Sequence, residues 1–577
     1  MAILGINISH DASVAILDKN GKILKAVSEE RLSRKKNHSG IPIRAINYIK
    51  DFNYDIETIV IGSDSKLSEK KLVVMESQIS GLASASEGEN WPHVVPGFRS
   101  SETVNVKNGF EKLILKHFDF LNAATFEWMN HHDSHLGQSL SVSSNELTLL
   151  MSLDGHGDGE SGAIAVSKDY HLKNLSRFKE LDSLGDLYSA VTKRYNFKIN
   201  KHEGKITGLA GFGEYSGGVE VLLKYVNIKA GKPYIHNLSG LKSRIVKNLV
   251  PRRFTKKFLL DMDSIVQLAE NETKNYADLA FAIQFVLEES VLEIARYWKA
   301  KTNTERLAVA GGVFSNVKLN QRLAEELNFK SVRVFPNMGD GGISVGGVWA
   351  YLEKSGRLKM PVDILQSMYL ASNVENFSEI EIAKQFKLSF QTITRKELPV
   401  EIANCVNEGK MVGLHFGDME FGPRALGNRS IVIDPRIKSI NEIANKRLKR
   451  TEFMPFAPVV LAEFSHKYFD LDKIPDLMPF QFMAMTCGVR QEHRSSIPAV
   501  VHIDGTARPQ IIYKESNLLY WEVLEQFRIL SGLPILVNTS FNVHEEPINF
   551  TLSDSLLALN QDAVDVVFTQ SGKFFRE

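Results

Sequence analysis

The hydrophobic and polar positions at the start of the chain alternate in the pattern of short β-strands. Apolar runs at residues 3–9, 13–18 and 22–27 predict a strand, a loop and a hairpin, and the turn-forming pair Asn20 and Gly21 joins the last two runs. The same plan returns about 145 residues later, where LTLLMSLD leads into GHGDGESG and then AIAVS and HLKNL. One local plan used twice predicts a duplicated domain with a cleft between its halves. The alternative is the ordinary recurrence of hairpins in a β-rich protein.

A helical pattern follows, and then strands and helices alternate. Residues 276–302 carry apolar side chains at helical spacing and predict a long helix. Beyond them come RLAVAGGV, NVKLNQRLAEEL and VRVFP, which is typical of an α/β fold. The polar stretch YLEKSGRLKMPVD predicts a boundary between a domain of residues 1–360 and a second α/β domain of residues 361–577. In the second domain we expect strands at MVGLHFG, AVVHID, PQIIY and PILVNTSF.

Composition narrows the class of protein. The chain has 577 residues, and its 69 Lys plus Arg are balanced by 68 Asp plus Glu. No overall basic field exists to bind a polyanion, so general nucleic-acid binding is disfavoured. Two cysteines, Cys405 and Cys487, are too few for a disulfide framework. We find no targeting segment and no apolar run that predicts a membrane span, and we therefore expect a cytoplasmic protein.

Three glycine-rich loops follow predicted strands. They are GINISHDAS, DGHGDGESG and NMGDGGISVGG, and backbone N–H groups in such loops approach phosphates. Each loop alone is a weak signal, because such segments are often only turns. Together in one domain they favour a nucleotide cleft of the sugar-kinase, actin and heat-shock ATPase type. Asp154 and Asp340 lie in two of these loops, where a carboxylate can hold a metal ion beside phosphate.

Histidines are concentrated in the segment HHDSH, residues 131–135. On a helix, His131 and His135 are one turn apart on the same face, a spacing at which two imidazoles bind one transition metal. A lone pair at this spacing is more often a surface or core pair. Asp154 and His156 follow one strand later, however, and favour a metal site. Histidine with carboxylate suits Fe(II), Mn(II) or Zn(II) better than Ca(II).

Positive charge gathers in two parts of the chain. The segment EERLSRKKNH is either a solvated loop or, through Lys36 or a neighbour, a site that neutralises nucleotide phosphates. In the second domain, MEFGPRALGNRS, RTEFMPFAP, DGTARPQ and NTSFN combine arginine with amide and hydroxyl residues. Four such segments favour a phosphate pocket over isolated surface salt bridges. A Walker A loop and a GxSxG elbow are missing, which disfavours P-loop and hydrolase functions.

These motifs together resemble a known enzyme family. HHDSHLGQS, DGHGDGESG, GKITGLAGFG, AGGVFSN, MGDGG, MEFGPRALGNRS, MPFAPVV, DGTARPQ and NTSFNVHEEPI look like the motif series of the O-carbamoyltransferases of antibiotic and nodulation-factor biosynthesis. The resemblance runs from residue 3 to residue 550, and MEFGPRALGNRS and NTSFN are its most specific parts. It implies a duplicated actin- and sugar-kinase-like domain, similar to the universal tRNA threonylcarbamoyl transferase, followed by a YrdC-like α/β domain.

The activity that the resemblance implies is ATP-dependent O-carbamoyl transfer. The second domain would convert carbamoyl phosphate and ATP to carbamoyl adenylate, and the first would pass the carbamoyl group to a hydroxyl of a small natural product or sugar. The implied cofactors are ATP with Mg²⁺ and a divalent metal, expected to be Fe(II), with Mn(II) or Zn(II) as alternatives. A homodimer is favoured only by the general prevalence of twofold association.

The resemblance also assigns residues to roles. The implied metal ligands are His131, His135, Asp154 and Asp340, with His156 as a further ligand. The implied nucleotide and acceptor region includes His10, Lys36, Gly312 and Asn316. The implied activating pocket uses Arg424, Arg450, Arg508, Asn538 and Ser540. His10 is the candidate general base, because an imidazole of near-neutral pKa can take a proton in the transition state. The chain departs from the family pattern at Asp418, Met454, His544 and Glu545. The pattern has arginine in many members where this chain has Asp418 and Met454, so we expect a less cationic pocket.

Two other functions stay open from the sequence. A tRNA-modifying carbamoyl or threonylcarbamoyl enzyme would use the same two modules; balanced charge weighs against tRNA, while the local basic patches KKNH and VPRRFTKKF favour it. A nucleotide-gated binding or chaperone protein would use ATP only as a switch, and it would leave the second domain's arginine and amide motifs without a purpose. Acceptor specificity is expected in residues 77–100, where Trp91 and Phe98 are candidate stacking or packing residues.

Overall fold

The computed structural model of the protein describes residues 2–63, 100–235, 253–358, 367–372, 378–450 and 455–577. The chain forms two compact units: an N-terminal unit of Met1–Leu24 with Asn37–Ile364, and a C-terminal unit of Lys25–Lys36 with Leu365–Glu577. The early segment Lys25–Lys36 therefore clusters with the C-terminal unit. Most of the expected acceptor loop, including Trp91 and Phe98, lies outside the described residues, as does Met454.

The strands and helices of the N-terminal part are as follows. The strands are β1 Ala2–Asn7, β2 Ser13–Asp18, β3 Ile23–Ser28, β4 Ile56–Ile61, β5 Thr125–Trp128, β6 Thr148–Gly157, β7 Glu160–Lys168, β8 His171–Lys179, β9 Val226–Lys229, β10 Lys232–Ile235, β11 Arg306–Ala310 and β12 Ser331–Val334. The helices are Glu29–Ser33, Ile43–Lys50, Ser100–His117, His131–Ser141, Leu184–Arg194, Glu203–Ala210, Gly217–Tyr225, Arg253–Asn271, Tyr276–Thr302, Val317–Glu326 and Ile343–Lys354. None of the helices in the described ranges combines the length and the apolar character that crossing a bilayer requires.

Two five-stranded sheets in this part of the chain repeat one topology. Their strand orders are β3-β2-β1-β4-β5 and β8-β7-β6-β11-β12. In each sheet the central strand, β1 or β6, pairs antiparallel with its hairpin partner and parallel with the strand on its other side. The outermost pairs, β4 with β5 and β11 with β12, are also parallel. The predicted α/β class and the predicted duplication are therefore confirmed.

Two glycines allow a close contact between the helices His131–Ser141 and Ile343–Lys354. A Cβ atom on Gly137 would lie 2.0 Å from the carbonyl oxygen of Gly346, and one on Gly346 would lie 2.0 Å from a carbonyl oxygen of the facing helix. Because no side chain fits at either position, the two backbones approach directly. The contact places the histidine-rich helix beside the loop that carries Asp340.

The C-terminal unit is built on a mixed sheet of eight strands in the order β14-β25-β24-β15-β17-β23-β18-β22. Its strands are β13 Tyr369–Ala371, β14 Ser389–Thr392, β15 Val412–His415, β16 Met419–Glu420, β17 Arg429–Ile433, β18 Ala457–Leu461, β19 Phe469–Asp470, β20 Cys487–Val489, β21 Thr506–Ala507, β22 Gln510–Ile512, β23 Ile535–Ser540, β24 Val566–Phe568 and β25 Gly572–Phe575. Its helices are Glu379–Phe386, Leu398–Asn407, Ile440–Arg447, Ser465–Tyr468, Met478–Gln481, Leu518–Ser531 and Leu552–Asn560.

One strand expected in the C-terminal unit is absent from the described structure. The strands at MVGLHFG, PQIIY and PILVNTSF are present as β15, β22 and β23, but AVVHID is not a strand. The short helix Pro498–Val500 covers its start, and a tight turn follows in which the N–H of Gly505, at φ 76°, donates to the carbonyl of His502. Ala499 and Val500 are buried at the start of this segment, whereas Ile503 is exposed in the turn, which begins before a strand can form.

Candidate metal centre and activating pocket

Four side chains of the N-terminal unit converge on one point. One ligand atom from each of His131, His135, Asp154 and Asp340 lies within 4.8 Å of all the others. The Nε2 atoms of both histidines are 3.2 Å from Oδ2 of Asp154 and 3.5 Å from Oδ1 of Asp340. The structure therefore brings together the four residues that the family motifs mark as metal ligands.

The chemistry of this donor set fits a divalent transition metal. The two histidines and Asp340 have fully buried side chains, and the side chain of Asp154 is 13% exposed. Two imidazole nitrogens and two carboxylates are ligands that Fe(II), Mn(II) and Zn(II) accept. Two buried carboxylates also need a positive charge close by. A divalent cation held by these four residues would give a neutral centre.

The same contacts change the proton affinities of the ligands. Burial lowers the pKa of His135, but hydrogen bonds with Asp154 and Asp340 outweigh burial and raise this pKa to about 9. Burial raises the pKa of Asp154, but hydrogen bonds with His131 and His135 outweigh it and hold this pKa well below its usual value. A metal ion that binds Nε2 of His135 must therefore displace a proton.

The histidine-rich helix begins at His131 because Asn130 caps it. The Asn130 side chain accepts hydrogen bonds from the backbone N–H groups of His132, at 2.9 Å, and Asp133, at 3.2 Å. One turn along, the hydroxyl of Ser134 donates to a carbonyl at the end of β4, at 2.9 Å. The cap and this tether fix the first turn of the helix and hence the direction of the first imidazole.

A glycine on β6 makes room for the imidazole of His131. A Cβ atom on Gly157 would lie 2.1 Å from Cδ2 and 2.6 Å from Nε2 of this ring. We expect Gly157→Ala to displace the imidazole and to lower Mn(II) affinity by at least the roughly 10- to 100-fold that changes around metal ligands cost, measured by calorimetric titration. The matched control is Gly204→Ala, because a Cβ there meets nothing within 4 Å. Equal Mn(II) affinity in both variants would contradict the expectation.

We call the group of four candidate ligands, His131, His135, Asp154 and Asp340, the metal cluster. His10 lies at its edge. Its Nε2 is 3.3 Å from Oδ2 of Asp340, and its Nδ1 is 3.0 Å from Oδ2 of Asp11. The amide of Asn37 donates to the other oxygen of Asp11 at 2.8 Å. The His10 side chain is 39% exposed. An imidazole that is held by carboxylates and open to solvent can exchange a proton with a bound substrate.

Gly312 contacts a candidate metal ligand directly, whereas the side chain of Asn316 bonds other parts of the fold. The N–H of Gly312 donates to Oδ1 of Asp154 at 3.2 Å, so this backbone touches a candidate ligand. The side chain of Asn316 caps the helix Val317–Glu326 by accepting from the N–H of Leu319 at 3.1 Å, and its amide also bonds Gln284. The structure thus gives Asn316 a role in positioning the loop, since its polar atoms already bond the fold.

His156 is not one of the residues that converge, and Lys36 belongs to the other unit. Nδ1 of His156 is 3.1 Å from the carboxylate of Asp186, and its side chain is 40% exposed. The pairing of β6 with β7 shifts register between Leu153 and Gly157, and this irregularity separates His156 from the side on which Asp154 points. Lys36 is exposed and belongs to the segment that clusters with the C-terminal unit.

Hydrogen bonds in the C-terminal unit join the four segments that the sequence marks as a pocket. The amide nitrogen of Asn538 donates to the carbonyl of Ala425 at 3.0 Å and to Oε1 of Gln510 at 2.7 Å. The guanidinium of Arg450 donates to the hydroxyl of Ser540 at 3.1 Å. The segments MEFGPRALGNRS, RTEFMPFAP, DGTARPQ and NTSFN therefore meet at β23.

The two remaining arginines of the predicted pocket lie next to this network. Arg424 directly precedes Ala425, and Arg508 lies two residues before Gln510. Both arginines are partly exposed. Guanidinium groups that keep access to solvent beside a fixed set of amides and hydroxyls can bind the oxygens of phosphate.

Models of known protein families match both units of the chain. The model described as carbamoyltransferase N-terminus matches residues 2–348, and the model described as carbamoyltransferase C-terminus matches residues 403–574. The chain belongs to the carbamoyltransferase family. It is therefore an enzyme of the carbamoyltransferase type.

Curated relatives of this carbamoyltransferase are similar over most of its length. The nodulation protein NolNO of Sinorhizobium fredii is 30% identical over 95% of the chain and 76% of that protein. An uncharacterized protein of Methanocaldococcus jannaschii is 30% identical over 96% of both sequences. The nodulation protein NolO of Bradyrhizobium diazoefficiens is 31% identical over 74% of the chain and 75% of that protein. The first two similarities extend across both units.

Solved structures show only a distant likeness to the carbamoyltransferase. Full-length HypF in its phosphate- and nucleotide-bound form is 14% identical, covers 61% of the chain and 55% of its own, and has a TM-score of 0.32. The activator of 2-hydroxyisocaproyl-CoA dehydratase from Clostridium difficile is 13% identical, covers 62% and 97%, and has a TM-score of 0.31. These TM-scores are too low to support a conclusion about the fold, which is described by the chain's own strand order.

Sequence reasoning did not single out Glu420, which organises the loop that carries Arg424 in this carbamoyltransferase. Oε1 of Glu420 accepts hydrogen bonds from the backbone N–H groups of Leu426 at 2.8 Å, Asn428 at 2.8 Å and Arg429 at 3.1 Å. Three donors on one oxygen hold the loop in a single conformation. Glu420 is the second residue of the motif MEFGPRALGNRS, and an acidic side chain so close to the glycines of a loop could have indicated this role.

Arg429 is a second residue that the sequence did not mark. Its side chain is fully buried, and its guanidinium donates to the backbone carbonyls of Phe416, Asn428 at 2.9 Å and Phe550 at 3.3 Å. A buried cation bonded to several carbonyls ties three parts of the unit together. This arginine supports the pocket from within the protein.

Three of the four departures from the family pattern, Asp418, His544 and Glu545, have partners in the C-terminal unit. Asp418 pairs with Nζ of Lys25 at 3.0 Å. Nε2 of His544 lies 3.4 Å from Oε1 of its neighbour Glu545, whose φ is 64°. The carboxylate of Asp418 therefore has a cation beside it.

Proposed function

We propose that this carbamoyltransferase is ATP-dependent and works in two steps. In the first step, the C-terminal unit converts carbamoyl phosphate, ATP and one water molecule to carbamoyl adenylate, phosphate and pyrophosphate. In the second, the N-terminal unit transfers the carbamoyl group to a hydroxyl of a small natural product or sugar, and AMP leaves. The observation that carries this proposal is the hydrogen-bond network that joins the four arginine- and amide-containing segments at β23.

The pocket at β23 suits the first step. Arg424, Arg450 and Arg508 supply guanidinium groups for phosphate oxygens, and Ser540 holds Arg450 in place. Asn538 directs its N–H₂ group to two acceptors of the protein, and its Oδ1 has no hydrogen-bond partner in the described part of the chain. This oxygen provides an acceptor suited to the N–H₂ of a carbamoyl group.

The metal cluster and His10 suit the second step. A divalent metal held by the two histidines and two aspartates, which we propose to be Fe(II), supplies positive charge as a Lewis acid when bound. Nε2 of His10 accepts the proton of the acceptor hydroxyl as its oxygen forms a bond to the carbamoyl carbon. Asp11 holds the opposite nitrogen of this ring. The bond between the carbamoyl carbon and the adenylate oxygen then breaks, and AMP carries away the electron pair.

The first step is tested by exchange of labelled pyrophosphate into ATP in the presence of Mg²⁺. We expect exchange with carbamoyl phosphate and none without it, because carbamoyl adenylate formation is reversible only when the carbamoyl donor is present. Hydrolysis of ATP without carbamoyl phosphate, together with no exchange, would contradict the proposal and favour a nucleotide switch. Incubation of the active enzyme with a metabolite pool, followed by mass spectrometry, then identifies the acceptor as the compound that gains one carbamoyl group.

We expect His10→Ala to separate the two steps. Pyrophosphate exchange should stay at the wild-type rate, whereas transfer to the acceptor identified in the metabolite pool should fall by about 10²- to 10⁴-fold, as expected for loss of a general base. The measurement is single-turnover carbamoylation of that acceptor. His171→Ala, which changes an exposed histidine of β8, is the control. Normal transfer by the His10→Ala protein would exclude His10 as the base.

A further inference from the structure

We propose that Gln138 sets the metal affinity of the cluster by joining His135 and the loop of Asp340 into one hydrogen-bonded unit. The inference rests on the metal site of the proposed function and goes beyond it, since the family motifs assign no role to Gln138. Gln138 is fully buried and follows His135 by nearly one helical turn. It is a positioning residue, because it acts through a candidate ligand.

The orientation of the Gln138 amide is fixed by its surroundings. Its Nε2 lies 3.1 Å from the carbonyl oxygen of Asn337 and 3.0 Å from that of Gly339. Both partners are acceptors only, so the nitrogen of the amide must face them and the oxygen must face the other way. That oxygen, Oε1, lies 2.5 Å from Nδ1 of His135.

The amide oxygen in turn fixes the protons of His135. A carbonyl oxygen accepts and does not donate, so Nδ1 of His135 carries the hydrogen. The lone pair of the neutral ring then lies on Nε2, the atom that faces Asp154 and Asp340 at 3.2 and 3.5 Å. Outer hydrogen bonds of this kind hold a histidine ligand in the tautomer and the direction that metal binding needs.

The same amide reaches the other side of the cluster. Gly339, whose carbonyl accepts from Gln138, directly precedes Asp340. One side chain thus connects a candidate histidine ligand to the backbone next to a candidate carboxylate ligand. A neutral amide also matches the charge of the site, since two carboxylates already balance a divalent cation and a third buried carboxylate would leave an uncompensated charge.

The test uses Co(II) as the probe, because its visible absorption reports on ligand geometry. We expect Gln138→Met, which removes the acceptor and both donors, to lower Co(II) affinity by about 10- to 100-fold in competition with a chelator and to change the Co(II) spectrum. Gln138→Glu keeps the acceptor for His135 and loses the donors. The Gln138→Glu protein should bind Co(II) more tightly than the Gln138→Met protein. Its spectrum should differ from that of the wild type, because a carboxylate hydrogen-bonded to Nδ1 makes Nε2 of His135 donate more electron density to the metal.

Ser139→Ala is the matched control, because Ser139 is buried on the same helix and its hydroxyl donates to two main-chain carbonyls, at 3.2 and 3.5 Å. Circular dichroism checks that each variant is folded. The inference is overturned if the wild type binds no Co(II), if Gln138→Met binds it with wild-type affinity, or if Ser139→Ala loses as much affinity. If Gln138→Met does not fold, a wild-type spectrum in Gln138→Glu overturns it. Pyrophosphate exchange does not depend on these measurements, so a failure of the proposed function is recognised separately.

Discussion

Asp154→Asn is expected to abolish metal binding by this carbamoyltransferase. Oδ2 of Asp154 lies 3.2 Å from Nε2 of both His131 and His135, so this carboxylate is the common neighbour of both imidazoles. An asparagine keeps an oxygen for the N–H groups of Gly155 and Gly312, which now donate to Oδ1 at 2.8 and 3.2 Å. It places a neutral N–H₂ group, which cannot bind a metal, where the anionic oxygen was.

The size of the effect follows from the position of the change. Changes around metal ligands cost about 10- to 100-fold in affinity, and removal of a charged ligand atom should cost more. Carbamoyl transfer should be lost with the metal, while pyrophosphate exchange in the C-terminal unit should persist. Metal content after anaerobic reconstitution with Fe(II), together with calorimetric titration with Mn(II), measures the loss.

The control for this change is Asp158→Asn. Asp158 is a carboxylate of the same segment, and it accepts from the backbone N–H of His131 at 2.7 Å and from the hydroxyl of Ser63 at 3.1 Å, but it is outside the four-residue group. Its asparagine variant keeps the shape of these contacts and should retain metal. Full metal occupancy in the Asp154→Asn protein would rule out the cluster as the metal centre.

The second large effect is expected for Arg429→Met, which should destabilise the C-terminal unit by about 2–5 kcal/mol. The change takes the hydrogen-bond donor away from backbone carbonyls of Phe416, Asn428 and Phe550 in a place that water does not reach. Each buried acceptor that loses its partner costs about 1–3 kcal/mol. Hydrogen exchange of peptides from β17, followed by mass spectrometry, and the midpoint of urea unfolding measure the loss.

Arg395→Met provides the comparison within the same unit. Arg395 pairs with Glu522, and the two side chains are 48% and 32% exposed. Ion pairs in such positions contribute about 0–1 kcal/mol, so the stability of this variant should stay close to that of the wild type. Equal destabilisation by the two substitutions would show that the carbonyl contacts of Arg429 are not what stabilises the loop.

The sequence could predict the repeated sheet and the pair of histidines because both depend on fixed spacing, whereas the full set of four candidate ligands was implied by the resemblance to the family. Strand lengths and the turn at Asn20 and Gly21 define the first hairpin, and its later recurrence marks the duplication confirmed by the strand order. One helical turn between His131 and His135 places both imidazoles on one face. Asp154 lies in β6 and Asp340 follows β12, and these two strands belong to the same five-stranded sheet.

The remaining parts depend on tertiary contacts that local patterns do not carry. Glu420 and Arg429 are charged, and charged residues are nearly always exposed, so no pattern predicts that they support a buried loop. Gln138 resembles any polar residue of a helix until its partners in a distant loop are known. The irregular pairing near Gly157 moved His156 away from the cluster, although alternation along a strand would place it beside Asp154.

The membership of Lys25–Lys36 in the C-terminal unit has a consequence for the order of events during synthesis. Arg34 in this segment donates to the carbonyls of Pro547, at 3.0 Å, and Ile548, at 2.9 Å. A ribosome makes Arg34 early and its two acceptors near the end of the chain, so these bonds form only after almost the whole polypeptide has emerged. A gene fragment that starts at residue 365 would likewise encode a C-terminal unit that lacks one of its own pieces.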